Sequence, residues 1–138
     1  LGGAFTLDSK PQQDRVDWQP LSEQAIALAL AQNKRVFVDV TADWCITCKA
    51  NKFNVLLRDD VQQALSAPDV VALRGDWSRP SNTIASFLRQ RGSVAIPFNQ
   101  IYGPGLTDGE ILSPLLDRST LLATLSQAGI APSQGETK

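Results

Sequence analysis

The segment Arg35–Thr41, RVFVDVT, constrains the fold more than any other stretch of this chain. Its β-branched, mostly apolar run suits a strand covered on both faces at the centre of a sheet, because a half-wet strand alternates apolar and polar residues. ADWCITCK follows directly, so two cysteines three residues apart stand where this strand hands over to a helix. With 138 residues the chain fits one ordinary domain, a size that buries about two-thirds of the unfolded surface without a disulfide or metal staple.

Around that strand, helical and strand patterns alternate in one unbroken series. Val16–Trp18 can form a short strand, and Ser22 can cap a helix through Asn33 with Ile26, Leu30 and intervening alanines inward. A helix beginning around Cys45 runs toward Leu57, and a second, from Asp59 or Asp60 through Ala67, is stopped by Pro68. Val70–Asp76 reads as another strand and Asn82–Arg91 as a helix with Phe87 and Leu88 inward, ended by Gly92. Phe98–Tyr102 and Glu110–Leu112 read as a hairpin across GPGLTDG; Ser119 is the expected cap of a last helix, Thr120–Ala128, stopped by Gly129. Residues 1–14 and 131–138 lack apolar periodicity and read as a linker and a flexible tail, leaving a domain over residues 15–130. The order β-α-β-α-β-α-β-β-α describes an α/β domain, a central mixed β-sheet flanked by helices on both faces, and resembles the order of the thioredoxin fold.

Composition removes several functions. Thirteen basic and 14 acidic residues leave a formal charge of −1, so no broad field draws the chain toward nucleic acid or anionic lipid. The longest apolar run, Ala25–Ala31, is far short of the ~20 residues a membrane span requires. The sequence starts Leu-Gly-Gly without a signal-peptide pattern and contains no Met, and it reads as a processed chain or an excised domain. Two cysteines and no histidine argue against a zinc site within one chain and exclude every Ser-His-Asp or Cys-His arrangement. No metal and no cofactor is expected.

In the first turn of a helix, residues three apart share a face at about 5–6 Å, so Cys45 and Cys48 can form a disulfide with little backbone movement. The free N–H groups and positive dipole end of that helix favour a thiolate at Cys45, the attacking sulfur. Cys48, one turn deeper and expected to be less exposed, resolves the mixed disulfide by attacking Cys45. A structural bridge is the rival reading, but this spacing closes almost no loop and gives little entropic stabilisation. Lys49 adds a positive charge whose effect at the surface is modest.

Asp39 lies in mid-strand on the face of Phe37, six residues before Cys45, where an uncompensated charge is costly. Neither face is clearly wet, so a buried carboxyl is favoured over a solvent-facing one; with its pKa raised by desolvation it can take the proton of Cys48. Ile96–Pro97 opens a strand, and local sequence alone favours a trans bond there. Arg74-Gly75-Asp76 spells an adhesion tripeptide but falls at a strand end, so Asp76 and Trp77 are read as shaping the next loop. Trp18, Phe98 and Tyr102 are read as core or rim aromatics.

VDVTADWCITCK resembles the active-site segment of the C-terminal periplasmic domain of the transmembrane reductase DsbD, and RGDWSRPSNTIASFLRQRGSVAIPFNQIYGPG resembles its later half. Within that family the resemblance is closest to the branch of suppressor of copper sensitivity protein B (ScsB), and it covers about Val16–Ala128. ADWCxxCK, then DW, then Gly-x-x-x-Ile-Pro is far more specific than CxxC alone. The resemblance implies that Cys45 is the nucleophile, Cys48 the resolving thiol, Asp39 the buried proton acceptor and Pro97 a cis-proline facing the disulfide. Ile96 would offer its backbone to a substrate strand, and Trp44 would flank the reactive sulfur. It also implies a circuit in which electrons from cytoplasmic thioredoxin cross a transmembrane domain of the same polypeptide, reach this pair and pass to a periplasmic thioredoxin-like substrate, ScsC-like in the copper-tolerance branch. The implied setting is a monomeric periplasmic domain of an inner-membrane protein.

Two positions depart from the pattern. Ile46-Thr47 is neither the Gly-Pro of thioredoxin nor the Pro-His or Gly-His of strong oxidants, which leaves the reduction potential open while favouring a reductase. Lys52 stands where the enterobacterial DsbD domain has an acidic residue, so tuning by that acid does not carry over. The expected activity is that of a protein-disulfide reductase. A thiol module holding Cu(I) between two thiolates is the alternative, against which the absence of Met and His argues, and a purely structural interaction domain is a third reading.

Overall fold

The computed structural model describes residues 13–130. Its strands are β1 (Gln19–Pro20), β2 (Arg35–Thr41), β3 (Val70–Asp76), β4 (Phe98–Gly103) and β5 (Leu106–Ile111), in the sheet order β1-β3-β2-β4-β5. Its helices are α1 (Glu23–Ala31), α2 (Ile46–Asn51) with a π-helical continuation (Lys52–Leu56), α3 (Asp59–Leu65), α4 (Asn82–Gln90) and α5 (Arg118–Ala128). β2 runs parallel to β3 and antiparallel to β4, so the sheet is mixed and RVFVDVT lies at its centre. This is the thioredoxin fold.

The composition of β2 explains its place. Phe37 packs into a core with Val55, Leu56, Val61, Leu65, Leu121 and Leu125, beneath the α2 continuation, α3 and α5. Val36, Val38 and Val40 point the other way, toward Ile26, Ala29, Phe87 and Leu88 of α1 and α4. Each large side chain buried this way is worth roughly 1.5–3 kcal/mol of transfer free energy, so the strand is held from both sides. Ser22 caps α1 by accepting the Ala25 N–H at 3.0 Å, and Ser81 caps α4 by accepting the Ile84 N–H at 3.2 Å.

Several boundaries differ from the sequence reading. The first strand forms at Gln19–Pro20 instead of Val16–Trp18, because the Val16 side chain is drawn into the core and Trp18 packs against its edge. The last helix is capped by Asp117, not Ser119; its carboxylate accepts the Thr120 N–H at 2.9 Å, while Arg118 in the first turn pairs with Asp60 at 2.6 Å. The hairpin turns at Pro104–Gly105, with Gly103 paired to Leu106, so GPGLTDG is mostly strand. Gly109 belongs to β5 with φ +84°, and a Cβ there would meet the Tyr102 ring at 2.7 Å. Asp14, at the end of the segment read as a linker, is bonded to Trp18, Gln62 and Arg74.

Candidate active site

β2 delivers the chain to the end of the sheet, where Ala42 is buried, a tight turn follows and Cys45 becomes the N-cap of α2. Cys45 has extended backbone angles, φ −95° and ψ 106°, and its Sγ accepts the Cys48 N–H at 3.1 Å. That contact places the sulfur among the unpaired amides of a helix N-terminus, where negative charge is stabilised. Cys45 and Cys48 form a disulfide with their Cα atoms 5.2 Å apart.

The loop after β3 holds the loop after β2. The Trp77 N–H donates to Thr41 O at 2.7 Å, the Asp43 N–H to Ser78 Oγ at 2.8 Å, and Trp44 Nε1 to Trp77 O at 3.1 Å. Asp76 completes this support by accepting the Ser78 N–H at 2.9 Å. Trp44 thus stands beside the disulfide with 59% of its surface exposed yet with its indole N–H tethered. Lys49 donates to the Asp43 carbonyl.

Ala42, Cys45 and Cys48 form a small apolar cluster against which Trp77 and Ile96 pack. Both cysteines are 6% exposed, which corrects the expectation that Cys48 would be the deeper one; with the bridge closed, this shared packing covers both. The Ile96–Pro97 peptide is cis. Among the described residues, neither the N–H nor the C=O of Ile96 has a backbone partner. An open groove of about 550 Å³ beside the disulfide is lined by Trp44, Trp77, Arg79, Val94 and Ile96. A larger one of about 730 Å³ lies between α1 and α4, on the sheet face opposite Asp39.

Asp39 is 4% exposed and lies on the Phe37 side of β2, the side covered by the α2 continuation. Its neighbours across the sheet are set by register, Arg74 on β3 and Asn99 on β4. Arg74 Nε donates to Oδ2 at 2.9 Å and Asn99 Nδ2 to Oδ1 at 2.7 Å, so both carboxylate oxygens have a donor. Burial pushes the carboxyl pKa above its ordinary value, and Arg74 and Asn99 pull it back only in part.

The structure therefore brings Trp44, Cys45, Cys48, Ile96 and Pro97 to one end of the sheet and sets Asp39 within it. Sequence reasoning missed Arg74 and Asn99 as partners of Asp39, and it read Trp77 as shaping its own loop without its contact to the disulfide cluster. The signal for Arg74 was present: RVFVDVT and VVALRGD are of equal length, and pairing them end to end sets Asp39 opposite Arg74. Among the described residues no group of three or more His, Cys, Asp or Glu side chains assembles as a metal site.

Sheet order, the disulfide at a helix N-terminus and the supporting loop define a thioredoxin-fold domain with a CxxC pair. A model of the thioredoxin-like family matches residues 17–104, and the chain belongs to that family. It is similar to the thiol:disulfide interchange protein DsbD of Yersinia enterocolitica, 32% identical over 113 residues that span 70% of this chain and 19% of that protein. Against DsbD of Cronobacter sakazakii the identity is 29% over 112 residues, again 70% of this chain and 19% of the relative. The chain thus spans about a fifth of the length of these relatives. Among solved structures it is similar to a thioredoxin from Thermus thermophilus, with TM-score 0.60 and 25% identity, covering 81% of this chain and 85% of that one. The DsbD C-terminal domain of Neisseria meningitidis in the oxidised form shares the fold at TM-score 0.60 and 22% identity, covering 77% and 91%.

Proposed function

We propose that this domain is a protein-disulfide reductase that passes electrons through Cys45 and Cys48, as part of a DsbD-like protein of the copper-tolerance (ScsB) branch. The observation that carries the reading is the position of Cys45: its sulfur caps α2 and accepts an amide N–H, the setting that lowers a thiol pKa and makes a nucleophile. In the reduced domain the Cys45 thiolate attacks a substrate disulfide, forming a mixed disulfide and expelling one substrate thiolate. Cys48 then gives its proton to Asp39 and attacks the Cys45 sulfur, expelling the second substrate thiolate and closing the Cys45–Cys48 bridge. Two electrons have moved to the substrate, and a donor dithiol in a membrane-embedded domain of the same polypeptide restores the pair.

The groove beside the disulfide receives the partner. Ile96, its backbone groups unpaired, offers them to an extended substrate segment next to Pro97, and Trp44 covers the segment from the other side. The partner is a periplasmic thioredoxin-like protein, ScsC-like, and the domain works as a monomer in the periplasm. No helix among the described residues is long and apolar enough to cross a membrane. The alternative of Cu(I) held between the two thiolates draws no support from the relatives, which are thiol:disulfide interchange proteins.

Equilibration of the Cys45–Cys48 pair with glutathione tests the direction of flow. A potential well below the roughly −120 mV of a strong oxidant such as DsbA fits a reductase. A potential near that of the strong oxidant overturns it.

A further inference from the structure

Arg74 is shared between two carboxylates. Its Nε donates to Asp39 Oδ2 at 2.9 Å, while its Nη1 reaches Asp14 Oδ2 at 3.5 Å, the longer and weaker contact. The guanidinium lies over the Trp18 ring, 3.8 Å from its centroid, and Trp18 packs in turn on Phe37 at 6.0 Å between centroids. Asp14 is fixed by more than Arg74. It accepts from Trp18 Nε1 at 3.0 Å, from the Val16 N–H at 3.2 Å and from Gln62 Nε2 at 3.2 Å. The Arg15 N–H donates to Gln62 Oε1 at 2.7 Å, so residues 14–18 are tied down along their length.

A guanidinium that serves two carboxylates neutralises each less than it would neutralise one, and the two negative charges disfavour one another. Asp39 feels this strongly because it has no water to turn to. The charged groups facing it are few. β3 contributes Arg74, β4 the neutral Asn99, and the segment before β1 contributes Asp14. α2 and its continuation bring the cysteines and Asn51 to the buried side, α3 brings Gln62, and α5 brings only Leu121, Leu125 and Ala128. With the disulfide closed, Arg74 and Asp14 are the two charges that matter.

We propose that residues 14–18 form a strap in which Asp14 and Trp18 are positioning residues: by dividing the charge of Arg74 between Asp14 and Asp39, the strap sets the proton affinity of Asp39. The consequence for exchange rests on the function proposed above, in which Asp39 accepts the proton of Cys48. The proton affinity itself does not, and it can be read in the oxidised domain.

The test follows the Asp39 carboxyl carbon by NMR through a pH titration of the whole oxidised chain. Asp14→Asn keeps the acceptor for Trp18 and removes the charge, and the Asp39 midpoint is expected at lower pH than in the wild type. Arg74→Gln is expected to move it to higher pH, and Arg74→Lys to return it toward the wild-type value. Asp14→Ser, a second uncharged variant, is expected to repeat the downward shift and covers a failure of Asp14→Asn to fold. Midpoints that do not move in the Asp14 variants, or that move upward, overturn the strap, because a segment that merely anchors the fold changes stability without displacing the two titrations in opposite directions. If the midpoints shift as expected but the pH dependence of disulfide exchange does not, the strap stands and the assignment of Asp39 as proton acceptor falls.

Discussion

Asn51 joins the redox helix to the loop before α5: its Oδ1 accepts the Leu116 N–H at 3.0 Å and its Nδ2 donates to the Pro114 carbonyl at 2.8 Å. Asn51 is 3% exposed and the Leu116 N–H it serves is buried, whereas Pro114 lies at the surface, where water can replace the amide on its carbonyl. Asn51→Leu leaves the buried Leu116 N–H unpaired, at roughly 1–3 kcal/mol. We expect a loss of about 1–3 kcal/mol in urea unfolding, read as a lower midpoint with an unchanged slope. A midpoint within error of the wild type would refute the account.

The two cysteines differ in what their loss leaves behind. Cys45→Ser removes the sulfur at the helix N-terminus, and turnover of a disulfide substrate is expected to fall to background. Cys48→Ser keeps the attacker and removes the resolver, so a covalent complex should accumulate and disappear on addition of dithiothreitol. Non-reducing electrophoresis with the partner separates the cases; a complex formed equally well by Cys45→Ser would reverse the assignment.

Asp39 links stability to pH. Because burial raises its folded-state pKa above the ordinary carboxylate value, the folded chain holds this proton more tightly than the unfolded chain. Its contribution is therefore full below the ordinary carboxylate range and is lost as pH rises through the raised folded pKa. Asp39→Asn removes that dependence. Denaturant midpoints at pH 4 and pH 8 should show the variant gaining on the wild type as pH rises, and a gap that stays constant would contradict the shift.

Gly103 and Gly92 are glycines for different reasons. A Cβ on Gly103 would stand 2.3 Å from the carbonyl oxygen of Ala128, so Gly103→Ala forces β4 and α5 apart. Gly92 has open space around it but φ +75°, so Gly92→Ala costs only the left-handed penalty of about 1–2 kcal/mol. Thermal unfolding of the two variants should rank Gly103→Ala as the more damaging. The reverse order would mean that the α5 end shifts freely.

These positions show where the sequence was readable. β2 and β3 match their expected spans because each is an apolar, β-branched run bounded by turn residues, and nothing long-range competes with that signal. The Ser22 cap and the cysteines at the start of a helix are local in the same way. What escaped depends on pairings between distant residues. Asp117 takes the cap from Ser119 while Arg118 reaches Asp60, and Gly109, which reads as a turn, is a strand residue placed against the Tyr102 ring. Arg74 looked like a strand-end residue of an RGD tripeptide until the parallel register set it against Asp39. Asp14 looked like linker for the same reason, since its partners Gln62 and Arg74 lie far along the chain.

The π-helical stretch after Asn51, closed by the Leu57 N–H donating to Lys52 O at 2.8 Å, encloses one more residue in its hydrogen-bonded ring than the helix before it. One residue corresponds to about 100° of rotation about the helix axis, so the two halves of this helix run out of phase, like a shaft with a keyed coupling. The first half is free to aim the sulfurs at the end of the sheet while the second aims Val55 and Leu56 into the core beneath Phe37. Residues between the cysteines can change without disturbing the anchor, whereas deleting a single residue from Lys52–Leu56 would re-phase the shaft and swing the disulfide away from the groove it faces.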